Sequence, residues 1–262
     1  MLFLIFATGL FLATLSMVRP ALADGPPLAL SGLNGASVVI AFTCFVSVGV
    51  LMGSVFAFAL LLAFLLHEFG HVLAYRMVGH ADARFRLVPF WNGVRISDTP
   101  PRSDLDAFFI ALMGPGVSLA PMVLSFALVD VLAPHAPLAS DFFLQFALAT
   151  GALNFVNLLP LWPLDGGRCI RIMVQAQFPG VGPLAAAAMS AALMGFAYSV
   201  SSVLIFLMAL VGAFALITGR EDHASRATLT KHELRLALTA YFAALSAFFL
   251  GGWWIIRIIP MT

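Results

Sequence analysis

The sequence predicts an all-α, multi-pass membrane protein, and three observations carry that prediction. The chain of 262 residues is 62% hydrophobic and only 10% charged, with a mean hydropathy of +1.04. A soluble domain is about half apolar and a quarter charged. The apolar residues fall in runs comparable to the roughly 20 residues that cross a bilayer. Most of the thirteen Lys and Arg residues cluster between those runs. So few charges cannot cover a water-facing surface, so the expected surroundings are the lipid bilayer. The net charge of +1 gives no hint of a nucleic-acid partner. Cys44 and Cys169 lie far apart and fit no Cys-x-x-Cys pattern, which argues against a disulfide framework.

The candidate spans follow in order. The first, 2–18, is short and ends before Arg19 and "DGPP" at 24–27, a connection rich in turn residues. Runs at 36–53 and 55–78 follow, then 106–131 after a long polar loop, 141–163, the short 183–198 after "FPGVGP", 201–218 and 236–258. The charges orient them. Arg76, Arg84, Arg86, Arg95 and Arg102 follow the third run, Arg168 and Arg171 the fifth, and Arg220, Arg226, Lys231 and Arg235 the seventh, while 132–140 has none. Alternating helices put all three clusters on one side, the cytoplasmic one. The third run then travels inward. Residues 1–23 could be a signal peptide with "ALA" at 21–23 as cleavage site. They lack a basic start, however, and cleavage would break the parity, so a retained helix is expected.

The third run carries the chemistry. His67-Glu68-Phe69-Gly70-His71 is His-Glu-x-x-His, and on a helix positions i and i+4 share a face. Two imidazoles there can hold one Zn²⁺, with the glutamate turned toward the reacting water rather than the metal. Ionisable groups inside a membrane helix are rare and usually functional. Zinc catalysis needs a third protein ligand, and by residue type the candidates are Asp98, Asp104, Asp106, Asp130, Asp141, Asp165, Glu221 and Glu233. Asp165 sits in Leu-Asp-Gly-Gly, which alone reads as a helix-ending turn at the inner end of the fifth run. His80, His135, His223 and His232 lie in loops or at their edges and read as solvated.

Two motifs together, His67-Glu68-x-x-His71 and Asn157-x-x-Pro160-x-x-x-Leu164-Asp165-Gly166-Gly167, resemble the site-2 protease family of intramembrane zinc metalloproteases. "ALMGPGVS" at 111–118 is similar to that family's Gly-Pro segment, although the family commonly has Asn where this chain has Ser118. The resemblance implies that Asp165 is the third ligand of one zinc ion per chain, with His67 and His71. It implies that Glu68 is the catalytic base and that Asn157 contacts substrate. It also implies a six-helix intramembrane metalloprotease core over 36–221, flanked by an N-terminal helix and linker (1–35) and by a basic loop and additional C-terminal helix (222–262). The implied activity is cleavage of peptide bonds in or near the transmembrane helix of a membrane-protein substrate. The site would face the cytoplasm in a bacterial-type inner or plasma membrane.

Between the motifs, "RFRLVPFWNGVRIS" at 84–97 alternates around Asn92-Gly93 and predicts a small membrane-associated β-hairpin. It reads either as an interfacial loop or as an edge that captures an unwound substrate by strand addition. Two rival classes stay open. One is a proteolytically inactive, metal-binding relative. The other is a metal transporter, which has no specific need for Glu68 and would be expected to carry ligands along a path to the outer face.

Overall fold

The computed structural model describes residues 1–23, 27, 29–31, 34–86, 96–218 and 227–254. Among these, six helices are long and apolar enough to cross a membrane: α1 (Leu2–Ala23), α2 (Gly35–Met52), α3 (Ser54–Met77), α4 (Asp104–Leu132), α5 (Pro137–Asn157) and α9 (Lys231–Gly252). Between the last two come α6 (Asp165–Gln177), α7 (Gly182–Ser199) and α8 (Val203–Thr218). The chain is a multi-pass, helical membrane protein, as composition predicts.

The helix starts follow local chemistry. Asn34 and Ser37 form a reciprocal capping box at α2, and Thr230 and Glu233 form another at α9. Ser103 accepts the Asp106 N–H at the head of α4, and Pro137 opens α5 where its missing N–H is not needed. One difference from the sequence reading matters for the site. The fifth run does not continue to 163 and end at Asp165. Helix α5 stops at Asn157, a turn-rich connection containing Pro160 and Pro163 follows, and Asp165 is the first residue of a separate helix. Pro160 and Pro163 each lack the N–H that a continuing helix would use, a loss that α4 accommodates at Pro115 and Pro121 but this connection does not. Residues 165–177 carry Arg168, Arg171, Gln175 and Gln177 on an amphipathic helix that an apolar-run reading cannot see.

The centre of the molecule is α3, α4 and α5, packed on one another. Helix α9 packs on α5, α4 and α6, and the shared core holds Phe108, Met122, Phe155, Leu158, Cys169, Met173, Tyr241 and Phe248. Helix α1 lies against α4 and α3, where Val18 meets Leu73, Ala74 and Ile110. By contrast, α2 buries little but Ser37 and leaves Val38, Val39, Phe42, Val46 and Val50 outward, as a lipid-facing helix does.

A two-residue strand β1 (Leu30–Ser31) pairs in parallel with β2 (Phe85–Arg86). The turn of the expected hairpin, Asn92-Gly93, lies outside the described residues. The base of that loop is closed by the Arg84 N–H donating to the Ile96 carbonyl at 2.8 Å.

Candidate metal centre

Helix α3 brings His67, Glu68 and His71 to the most buried part of the molecule, and all three are under 5% exposed. Helices α3 and α4 touch backbone to backbone here. A Cβ on Gly70 would run into the Met113 carbonyl, and one on Gly114 would stand 2.5 Å from the His71 ring. These glycines leave room for the imidazole between the two helices. Ser118, in the same Gly-Pro segment, donates its hydroxyl to the Gly114 carbonyl at 3.2 Å and is fully buried.

Asp165 comes from the start of α6, and its setting is built by four contacts. The Tyr241 hydroxyl of α9 donates to the Leu158 carbonyl at 2.7 Å. The Trp162 indole N–H donates to Gly212 of α8 at 2.9 Å. Gly166 and Gly167 let the first turn of α6 lie directly on the carbonyls of Leu158, Leu159 and Leu161, with no space for a side chain. The Arg171 guanidinium sits 5.1 Å from the Trp162 ring centroid. The connection is thus held by α8 and α9 as well as by its neighbours in sequence.

The result is a convergence of three acceptor atoms. His67 Nε2 lies 3.2 Å from His71 Nε2, and Asp165 Oδ2 lies 3.2 and 3.3 Å from the two. The two rings are almost perpendicular. Their outer nitrogens are engaged elsewhere. His67 Nδ1–H donates to Asn154 Oδ1 at 2.8 Å, and His71 Nδ1–H donates to the Ile110 carbonyl at 2.9 Å. That assignment leaves both Nε2 lone pairs facing each other and a carboxylate oxygen. A tetrahedral zinc with bonds of about 2.0–2.1 Å has ligand–ligand edges of about 3.3 Å, so the spacing and donor set suit such an ion. Among the described residues this is the group of ligand-type side chains that could hold a metal, its ligand atoms within 4.8 Å of one another. The other Asp165 oxygen has Arg168 Nη1 at 3.6 Å.

Of the other expected site residues, Asn157 stands half-buried at the C-terminal end of α5, with Nδ2–H on the Leu153 carbonyl at 3.0 Å. Asp98, Asp104, Asp106, Asp130, Asp141 and Glu233 do not join the group, and Glu221 lies outside the described residues. His80, expected in solvent, is buried, with Nδ1 at 2.9 Å from both Ser97 Oγ and Thr99 Oγ1. Hydroxyls nearly twenty positions away pull it in. Sequence reasoning missed Asn154. The signal is a carboxamide in an apolar helix, three residues before Asn157, which must find a partner.

The chain resembles known proteins in two comparisons. It is 32% identical over 134 residues to stage IV sporulation protein FB of Bacillus subtilis, a match covering 51% of this chain and 45% of that protein. The matched region thus spans about half the length of that curated relative. A solved structure, the site-2 protease from Methanocaldococcus jannaschii, superposes over 75% of this chain and 91% of its own, with a TM-score of 0.46 and 19% identity. No family model matches the chain.

Proposed function

We propose that this chain is a zinc-dependent intramembrane endopeptidase of the site-2 protease kind, which cleaves membrane-protein substrates in or near a transmembrane helix. The observation that carries the reading is the buried convergence of His67 Nε2, His71 Nε2 and Asp165 Oδ2 on a membrane helix whose next residue after the first histidine is Glu68. These three side chains would hold one zinc ion per chain. When bound, zinc lowers the pKa of a coordinated water and polarises a scissile carbonyl.

The chain's own groups do the rest. The Glu68 carboxylate takes a proton from the attacking water and returns it to the leaving amine, so no net proton is consumed. The His71 ring is kept in one tautomer by the Ile110 carbonyl on its far side. Asn157 would bind the substrate backbone or stabilise the developing oxyanion, within reach of the connection that carries Asp165. The activity would belong to 36–221, with 1–35 and 222–262 as flanking units. The clustered Arg and Lys residues favour a cytoplasm-facing site in an inner or plasma membrane.

The decisive experiment uses the purified full chain and a single-span substrate. Glu68→Gln should bind zinc as the parent does and cleave more slowly by about 10²–10⁴-fold, the usual contribution of a general base. Parental cleavage by Glu68→Gln would sink the mechanism. Metal flux in vesicles that survives the same change would favour transport instead.

A further inference from the structure

The reaction just described leaves Asn154 without a part, yet it is one of the most enclosed polar side chains of the molecule. It is fully buried on α5 and reaches across to α3. Its two ends are not interchangeable. Nδ2–H donates to the Thr150 carbonyl one turn back, at 2.9 Å. That carbonyl can only accept, so the NH₂ end must face it and Oδ1 must face His67. Oδ1 then accepts from His67 Nδ1 at 2.8 Å. A carbonyl oxygen on Nδ1 requires the proton to be there, which leaves the Nε2 lone pair directed at His71 Nε2 and Asp165 Oδ2.

His71 receives the same instruction from a different source, the backbone carbonyl of Ile110 at 2.9 Å. A main-chain acceptor is fixed by the helix and survives any substitution at its position. The orientation of His67, by contrast, hangs on one side chain. Without it, the buried Nδ1–H has lost its acceptor and the ring gains by turning or by moving its proton to Nε2, where it blocks a ligand position. Partners that hold the far nitrogen of a ligating histidine usually change metal affinity by about 10–100-fold when removed.

We propose that Asn154 is a positioning residue that fixes the tautomer and ring angle of His67, and through it sets the affinity of the His67–His71–Asp165 group for a divalent cation. The inference rests on the zinc reading above, and the experiment separates the two. Zinc dissociation constants are measured by chelator competition on the full-length chain in detergent. The variants are Asn154→Leu, Asn154→Asp and His67→Ala, and the thermal midpoint of each zinc-free protein is recorded.

Asn154→Leu, similar in volume and without an acceptor, should raise the zinc Kd about 10–100-fold while the zinc-free protein still unfolds cooperatively, at a midpoint lowered by the buried His67 Nδ1–H left without an acceptor. Asn154→Asp, which still accepts from Nδ1–H, should bind zinc at least as tightly as the parent. The proposal is overturned if Asn154→Leu keeps the parental Kd. It is equally overturned if the Asp and Leu variants weaken binding alike and lower the zinc-free midpoint alike, the mark of a packing role. Should the Leu variant not fold, a folded Asp variant with a Kd tenfold weaker than the parent's overturns it alone. If His67→Ala binds zinc as the parent does, the metal-site reading itself falls. If His67→Ala loses zinc and Asn154→Leu does not, only the positioning role falls.

Discussion

Two polar clusters follow one another along the chain, one in the buried second half of α3 and one just past its end, and their hydrogen-bond logic differs. Around His80, donors and acceptors alternate. The imidazole meets Ser97 and Thr99, Ser97 donates its hydroxyl to Asp82, and the Asp98 N–H donates to the same carboxylate at 2.7 Å. Within this cluster, His80 Nε2 is the buried side-chain atom with no hydrogen-bond partner among the described residues. In the α3 cluster the outer nitrogens are satisfied and the inner three atoms are all acceptors, turned on one another. A cluster that closes on itself is a fold device. A cluster left with three converging acceptors is suited to closing around a cation.

The largest test of that contrast is Asp165→Ala. It should abolish stoichiometric zinc binding, read as metal content after gel filtration, and with it cleavage. Zinc retained at one per chain would mean that the acceptors do not act together. A smaller effect is expected from Tyr241→Phe. This removes the hydroxyl from the Leu158 carbonyl, which α6 also overlies, and leaves a buried acceptor short of a donor. The expected cost is about 1–3 kcal/mol in detergent unfolding, with a weakened zinc Kd because Asp165 stands on that connection. An unchanged Kd would detach α9 from the site.

The smallest effect belongs to the His80 cluster. Ser97→Ala should cost about 1 kcal/mol and leave zinc affinity alone. An equal loss of zinc affinity would break the distinction between the two clusters. Its pH dependence has a definite sign. The Asp98 backbone N–H and the Ser97 hydroxyl hold the Asp82 carboxyl below its ordinary value. Asp82 therefore supports the loop above the unfolded carboxylate pKa of about 3.9, and that support is lost as pH falls through the lower, folded value. Amide shifts of Ser97 and Asp98, followed from pH 6 to pH 3, should report the change.

What the sequence could disclose follows from the range of each interaction. The helices of the centre are legible because apolar runs and spacing are local. His67, Glu68 and His71 are legible because i and i+4 meet on any helix. Asp165 was reachable through its motif, but not its place at the head of α6, since prolines and an amphipathic pattern only mark that break once an apolar run is no longer assumed to continue. The Ile110 carbonyl leaves no trace in the sequence, because every residue has one. Asn154 left a trace, a carboxamide in an apolar helix, but its partner lies on another helix and no local pattern names it. His80 reads as solvated in the sequence for the same reason, because its hydroxyls arrive from the far side of a long loop.

The three acceptors have one more consequence, which concerns chain topology. Two come from α3 and the third from α6, with the whole of α4 and α5 between them in sequence. A cation held by all three ties these distant points together as a reversible cross-link, closing a long loop of the chain. Such a link stabilises the folded state in proportion to the logarithm of cation concentration, by about 4 kcal/mol at a thousand times Kd. Metal supply would then bear not only on how fast the protein works but on how firmly α6 stays packed against α4.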